Sequence, residues 1–171
     1  MNKKDLRFLK RSDKVAYMKT GDNEYHRMKG FTALTKNFNP QEYARQYVDE
    51  TFETTDVVGI SVSLDFEFDQ RKNDPVHNIL VDIIENEKLG DDATVTILSV
   101  DFSEEDGVGF KAIERDFSVI PESSGDGTEF YKYGGSFMVK GERILGTATS
   151  ENDFKTSCKF VEKEDEILGE V

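Results

Sequence analysis

The chain has 171 residues, the size of one domain, and its 35 acidic and 22 basic side chains give a formal net charge of −13. This excess of carboxylates argues against general binding to nucleic acid, because binding to the phosphate backbone depends on cationic side chains. The charge is uneven, since residues 1–50 carry 11 basic and 7 acidic side chains and the remaining 121 carry 11 basic and 28 acidic. This complementarity suits contacts between copies of one chain, although a solvated basic arm fits it equally well.

The compartment is indicated by what the sequence lacks. Cys158 is the only cysteine, so it cannot form an internal disulfide, and no His or Cys stands at metal-ligand spacing from it. The first residues do not form the apolar run of a signal peptide, and no apolar stretch is long enough to span a bilayer. We therefore expect a soluble, cytosolic chain with no cofactor, no metal and no membrane insertion.

The predicted organisation is a single domain over 1–171 with distinct ends. Residues 1–14 form a basic N-terminal arm, which we expect to become ordered only against a partner, and residues 162–171 form an acidic C-terminal tail. Two strands are predicted next, Val15–Thr20 and Gly30–Lys36, on either side of a turn at 21–23.

The segment that follows, about 38–57, is too long and too aromatic for an ordinary connection, and we interpret it as a long inter-strand loop. Exposed Tyr, Arg and Phe side chains are typical of binding hot spots. Such a loop is suited to docking on a partner, and the alternative is a loop folded back on its own domain.

A strand of almost perfect alternation comes after this loop. Its apolar face, which belongs in a core, consists of Ile60, Val62, Leu64, Phe66 and Phe68. Its polar face consists of Ser61, Ser63, Asp65, Glu67 and Asp69. Three carboxylates at a spacing of two could bind a divalent cation or form a glycosidase pair. We favour a solvated or assembly face, because no recognisable motif of His, Asn or further carboxylates accompanies them.

One helix is predicted, at about 74–89. Asp74 is suited to the N-cap, and Pro75 occupies the first helical position, where its missing N–H costs nothing. Gly90 is expected to end the helix in the left-handed conformation. The apolar stripe that the spacing places on one side consists of Val76, Ile79, Leu80, Ile83 and Ile84.

The rest of the chain is predicted to be strands. They are Ala93–Asp101, Val108–Ile120, Glu129–Lys140, Glu142–Ala148 and Phe154–Val161. The fold class is therefore mainly β, with two packed antiparallel sheets, as a β-sandwich or a partly closed barrel, and the helix on one open side. Within these strands, Gly134-Gly135 predicts a bulge or a close approach of backbones, and Cys158 a small core residue. We expect structural roles for His26 and His77.

The segment 39–59 resembles the major tail tube proteins of tailed bacteriophages and related phage-like particles. It reads Asn39-Pro40-x-Glu42-Tyr43-x-Arg45-Gln46-Tyr47-Val48-Asp49-Glu50, and then Thr55-Asp56-Val57-Val58-Gly59. The strand that ends in Phe68-Asp69-Gln70, the Val76-His77 pair that opens the helix and the later strands also fit. The resemblance covers roughly residues 30–161. It implies a phage tail tube fold, hexameric rings of one chain, and rings stacked into a hollow tube.

The same resemblance implies roles for particular residues. The long loop would pack against the neighbouring ring, and the strand after it would contribute to a continuous inner barrel. The implied inter-ring or inter-subunit contacts are Tyr43, Arg45, Gln46, Tyr47, Asp49 and Glu50. The implied lumen-facing candidates are Ser61, Ser63, Asp65, Glu67 and Asp69. A negative wall agrees with this role on physical grounds, because a cationic wall would bind passing DNA.

The resemblance also implies a structural, non-enzymatic protein of the virion tail that is made and assembled in the host bacterial cytoplasm. Its partners would be further copies of itself, a tape measure protein, baseplate or tail tip proteins, a tail terminator and, in a contractile tail, a sheath protein. DNA would pass through the lumen without specific binding. Two alternatives stay open, a monomeric β-sandwich that binds a ligand or carbohydrate and a carboxylate-dependent hydrolase.

Overall fold

A computed structural model describes residues 6–164, so the parts of the predicted arm and tail at 1–5 and 165–171 lie outside the described residues. The strands are β1 (Lys14–Gly21), β2 (Glu24–Arg27), β3 (Phe31–Asn37), β4 (Pro40–Arg45), β5 (Thr54–Ile60), β6 (Ser63–Asp69), β7 (Thr94–Asp106), β8 (Gly109–Ser124), β9 (Lys132–Val139), β10 (Ile144–Thr149) and β11 (Ser157–Glu162). The helix is α1 (Pro75–Glu85), and short 3₁₀ turns cover Arg11–Asp13 and Gly90–Ala93. No helix in this part of the chain is long and apolar enough to cross a membrane.

Six strands form a closed antiparallel barrel in the order β10-β11-β2-β1-β7-β8, which the β8–β10 pairing closes. Its interior is filled by Tyr17, Tyr25, Leu98, Val100, Ala112, Ala148, Phe154, Cys158 and Phe160. The Tyr17 hydroxyl is buried but satisfied, because it donates to the Phe154 carbonyl oxygen at 2.6 Å. The predicted core position of Cys158 is confirmed, since this side chain is 3% exposed.

The sheet continues beyond the barrel in the order β8-β9-β6-β3, which we call the extended sheet. The long strand β8 belongs to both parts, because it pairs with β7 and β10 in the barrel and with β9 in the extended sheet. Helix α1 packs against the apolar side of the molecule formed by this sheet and the neighbouring barrel strands. The buried residues of this second core are Met18, Met28, Val62, Leu64, Phe66, Phe68, Val76, Leu80, Ile83, Ala93, Val95, Ile97, Phe117, Val119, Tyr133 and Phe137. The predicted fold class, mainly β with one flanking helix, is confirmed.

The start of α1 is the predicted one, but its end is not. The Asp74 carboxylate accepts from the backbone N–H groups of Val76 and His77 at 3.0 and 3.3 Å, which confirms the N-cap. The helix ends at Glu85, and the left-handed residue that ends it is Glu87 (φ 49°). Gly90 is left-handed as expected (φ 59°), but it lies beyond the helix, at the start of the second 3₁₀ turn. Lys88 N–H and Glu87 N–H then donate to the carbonyls of the last turn, and this Schellman pattern ends the helix.

The alternating segment from residue 60 to 69 is not one strand, which corrects the prediction. Ile60 ends β5, where it pairs with Pro40, and β6 begins only at Ser63. Ile60 is therefore 61% exposed rather than in the core, whereas the other four members of the predicted apolar face are buried. Alternation alone did not show the break, because both short strands follow the same period of two.

The segment predicted as a long loop is also regular. Strands β4 and β5 pair antiparallel with each other and form a separate two-stranded sheet. The short strand β2 was not predicted either. The close approach expected at Gly134-Gly135 is confirmed, because a Cβ on Gly135 would lie 2.4 Å from the Ile120 carbonyl oxygen and 3.1 Å from the Phe66 ring.

The structural role predicted for His77 is likewise confirmed. The ring is completely buried, its Nδ1 accepts from the Arg71 N–H at 2.9 Å, and its Nε2 donates to the Lys29 carbonyl oxygen at 2.6 Å. The imidazole thereby joins the segment after β6 to the segment before β3.

Candidate assembly surfaces

The segment from Phe38 to Ile60 projects from the main sheet as a hairpin, which we call the β4–β5 hairpin. At its base the Ser61 N–H donates to the Phe38 carbonyl oxygen at 3.0 Å. The Asn39 amide donates to the Ser61 carbonyl oxygen at 2.9 Å and to the Ser63 hydroxyl at 3.2 Å. These bonds fix where the hairpin leaves the sheet and where it returns.

The β4–β5 hairpin carries an unusual amount of exposed apolar surface. Eight large apolar side chains in it are more than half exposed, namely Phe38, Tyr43, Tyr47, Val48, Phe52, Val57, Val58 and Ile60. An isolated two-stranded hairpin is at best marginally stable in water, and so many exposed large apolar side chains on one element are typical of an interaction surface. The hairpin therefore has the properties of a docking element.

Arg45 organises the hairpin from within. Its Nη2 lies 2.9 Å from Asp56 Oδ2 on the opposite strand. Its guanidinium also lies 5.8 Å from the ring centre of Tyr43 and 5.7 Å from that of Tyr47, within cation–π range. Arg45 therefore links Asp56 on β5 with the rings of Tyr43 and Tyr47 on its own side of the hairpin, and its contact with a neighbouring subunit stays a prediction.

The structure brings the six residues of the predicted inter-subunit set together on this hairpin. Tyr43 and Arg45 lie on β4, and the remaining four lie in the connection to β5, where the Gln46 amide donates to the Glu50 carbonyl oxygen at 3.0 Å. Sequence reasoning did not include Val48, Phe52, Val57, Val58 or Ile60 in that set. The apolar Val57-Val58 run beside the acidic segment was the available signal, and the sequence prediction gave these two residues no contact role of their own.

The polar face of β6 lies on the side of the extended sheet away from α1. Asp65 accepts from the Asn37 amide at 2.8 Å, and Glu67 accepts from the Thr32 hydroxyl at 2.8 Å and from Lys132 Nζ at 3.2 Å. Ser63 is only 6% exposed, because it lies under the base of the hairpin, and it is not part of the open face. Ser61 is exposed in the connection between β5 and β6.

The surroundings of Glu67 favour its ionised form. The hydrogen bonds from Thr32 and Lys132, together with the charge of Lys132, lower the pKa of Glu67 below its usual value. The hydrogen bond and charge of Glu67 in turn raise the pKa of Lys132 above its usual value. Among residues 6–164, no group of three or more His, Cys, Asp or Glu side chains is arranged to hold a metal ion.

The extended sheet has two open edges. At one side β3 is its last strand, and it pairs only with β6 among the described residues. At the other side, the pairing of β7 with β8 begins at Thr94 and Ser118, so residues 119–124 of β8 pair with β9 alone. Pro121 lies in this open part, where proline is tolerated because it has no N–H to leave unpaired.

Comparison with known proteins gives matches at the level of structure alone. No protein-family model matches the chain, and no curated protein matches it either. The SPP1 tail tube structure, solved by solid-state NMR and cryo-EM, superposes with a TM-score of 0.54 at 15% identity, over 86% of this chain and 84% of that chain. The anti-feeding prophage baseplate gives a TM-score of 0.46 at 8% identity, over 77% of this chain and 91% of that chain. The chain thus has a fold similar to that of the SPP1 tail tube protein, as the sequence predicted.

Proposed function

We propose that this protein is the structural subunit of the tail tube of a phage or a phage-like particle, and that its hexameric rings stack into a hollow tube. The observation that carries the proposal is the β4–β5 hairpin, with its eight exposed apolar side chains, on a domain with the tail tube fold. A monomer would gain nothing from such a hairpin, whereas a neighbouring ring would bury it.

The two open edges of the extended sheet support ring formation. Neighbouring strands in the order β8-β9-β6-β3 are antiparallel, so β3 and β8 run in opposite directions. The β3 edge of one copy can therefore pair antiparallel with residues 119–124 of β8 in the next copy. Such a head-to-tail contact closes into a ring, and it removes edges that would otherwise promote aggregation.

In this arrangement the polar face of the extended sheet would line the channel. Asp65, Glu67 and Asp69 would give the wall an acidic character, only partly offset by Lys132. A passing DNA duplex would be repelled rather than held. The partners carried over from the resemblance, which are the tape measure, baseplate or tip, terminator and sheath proteins, belong to this proposal.

The test of assembly is electron microscopy of the purified full chain at rising concentration, with sedimentation analysis in parallel. We expect six-fold rings and tubes with a central channel. A protein that stays monomeric at every concentration, with tail assembly partners supplied, contradicts the proposal and favours the monomeric ligand-binding alternative.

The channel wall has its own test. The double variant Asp65→Lys and Asp69→Lys should still form tubes, but these should retain fluorescent duplex DNA at low salt and release it as salt rises. The matched control is Asp22→Lys with Asp92→Lys, which changes the charge equally at exposed turns outside the extended sheet. Equal DNA retention by both variants would mean that the β6 face does not line the channel.

A further inference from the structure

A basic cleft of about 240 Å³ lies where β2 and β6 end, and the functional proposal does not account for it. Its lining residues are His26, Arg27, Lys29, Arg71, Lys72, Asn73, Asp74, Pro75 and Thr156. None of the four Arg and Lys side chains forms an ion pair with another residue between 6 and 164. The one carboxylate in the cleft, Asp74, is engaged in capping α1.

This concentration of free positive charge is notable in a chain with a net charge of −13. Four basic side chains without an ion pair to another described residue line this one concavity, and a ligand that carries carboxylates would neutralise them. Arg27, Lys29, Arg71 and Lys72 come from two segments that His77 joins through its hydrogen bonds to the Arg71 N–H and the Lys29 carbonyl oxygen. The cleft is therefore built on a fixed frame, and it suits carboxylates.

The cleft and the β4–β5 hairpin lie at opposite ends of the same two strands. The hairpin leaves β3 after Asn37 and returns to β6 at Ser63, and these two residues face each other in register. At the other end the Asp69 N–H donates to the Gly30 carbonyl oxygen at 3.0 Å, next to the cleft residues. Each strand has seven residues, so about 20 Å separates the hairpin base from the cleft.

The hairpin has the complementary charge. Residues 38–60 contain five acidic side chains and one basic side chain, and that basic residue, Arg45, is paired with Asp56. Asp49, Glu50 and Glu53 lie at the hairpin tip, are exposed, and form no ion pair with another described residue. The exposed apolar side chains of Val48 and Phe52 flank them.

We propose that the acidic hairpin tip of one copy docks in the basic cleft of a copy in the next ring. This inference rests on the proposed function and names the surface that receives the hairpin. Because the two surfaces lie at opposite ends of the subunit and differ from each other, the contact is heterologous and propagates as an open stack. Each exposed ion pair contributes little by itself, but the contact repeats around a ring, so the contributions combine.

The experiment is a charge exchange between the two surfaces. The cleft variant Lys29→Glu with Arg71→Glu and the tip variant Asp49→Lys with Glu50→Lys should each form rings but at least tenfold fewer tubes. Mixing the two variants should restore tubes, because each tip then meets a cleft of opposite charge. A single chain with all four substitutions should also form tubes. Lys88→Glu with Lys111→Glu, two exposed sites outside the cleft, is the matched control and should form tubes like the unmodified protein.

The outcomes separate this inference from the function on which it rests. If the unmodified chain forms tubes and the cleft variant forms them equally well, the cleft is not the receiving surface and the tube proposal stands. If both variants lose tubes but neither the mixture nor the four-site variant regains them, the two surfaces do not contact each other. If the unmodified chain forms neither rings nor tubes, both proposals fail together. Circular dichroism and the melting temperature of each variant confirm that the fold is retained.

Discussion

The six-stranded barrel and the extended sheet with its hairpin are built from the same kind of strands, but they solve the problem of exposed edges differently. In the barrel the β8–β10 pairing leaves no open edge, and aromatic side chains fill the interior. In the extended sheet one face is covered by α1, the other face is polar, and β3 and part of β8 remain open. The barrel is closed within one chain, whereas the extended sheet keeps two open edges and the hairpin keeps exposed apolar side chains that the proposed neighbours would cover.

This difference between the barrel and the extended sheet separates the surfaces that stabilise the chain from the surfaces available for assembly. Buried apolar surface in the two cores stabilises the chain, while the exposed apolar surface of the β4–β5 hairpin would, under the proposed function, form the contacts between subunits. Substitutions in the two cores should therefore lower stability, and substitutions on the exposed hairpin should impair assembly with little effect on stability. The four predictions that follow test this separation.

The largest expected effect is that of removing the hairpin. Replacing residues 40–60 with a short glycine-rich turn should abolish tubes, because the docking element is gone. The melting temperature should change by only a few degrees, because β4 and β5 pair with no other described strand. Electron microscopy and thermal unfolding measure the two effects. A shortened chain that cannot fold would show instead that the hairpin belongs to the folding unit.

The second prediction concerns the closed barrel and the reactivity of Cys158. Burial raises the pKa of this thiol to about 12, against about 8.5 for an exposed cysteine. Since the thiolate is the reactive form, thiol labelling of the native protein at pH 8 should be on the order of a thousandfold slower than in denaturant. Labelling followed by mass spectrometry checks this, and fast labelling of the native chain would mean that the barrel opens readily.

The third prediction compares a buried with an exposed apolar side chain. Phe66 is buried and stacks on Phe137 with ring centres 4.3 Å apart, so Phe66→Ala should lower the free energy of unfolding by about 3–5 kcal/mol. The matched control is Val58→Ala on the exposed hairpin, where we expect a change within about 0.5 kcal/mol but a loss of tubes. Urea unfolding measures both. A large loss of stability in the Val58 variant would contradict the separation.

The smallest effect should come from Glu67. Its pKa is lowered in the folded state by Thr32 and Lys132, so its contribution to stability is present above pH about 4.5 and is lost as the pH falls through the lowered folded-state pKa. Glu67→Gln should therefore melt slightly below the unmodified protein at pH 7, with a difference that shrinks on acidification. Melting curves from pH 7 to pH 3 test this, with Glu122→Gln at the exposed end of β8 as the control.

Several local features could be predicted because the physical cause lies in neighbouring residues. Asp74 followed by Pro75 predicts a helix start, since the carboxylate accepts from free N–H groups and proline needs no partner there. The spacing of Leu64, Phe66 and Phe68 predicts a buried strand face for the same kind of reason.

Other features depended on contacts between distant segments. Ile60 obeys the same alternation as Phe66, but it pairs with Pro40 in the hairpin, so its exposure follows from which strand it joins. Helix α1 ends in a Schellman pattern at Glu87 and Lys88, three residues before Gly90, the residue that the local sequence favours as the end.

The sequence by itself determined the mainly β fold, the flanking helix and the row of carboxylates on β6, and it predicted a docking role for the segment around Tyr43 and Arg45. These features follow from hydrophobic periodicity and helix capping, which act between residues that are close along the chain. Only the tertiary structure decided that this segment is a hairpin, that the barrel closes between β8 and β10, and that basic side chains from two distant segments share one cleft. These are long-range pairings, and residues far apart in the chain meet only once the whole chain has packed.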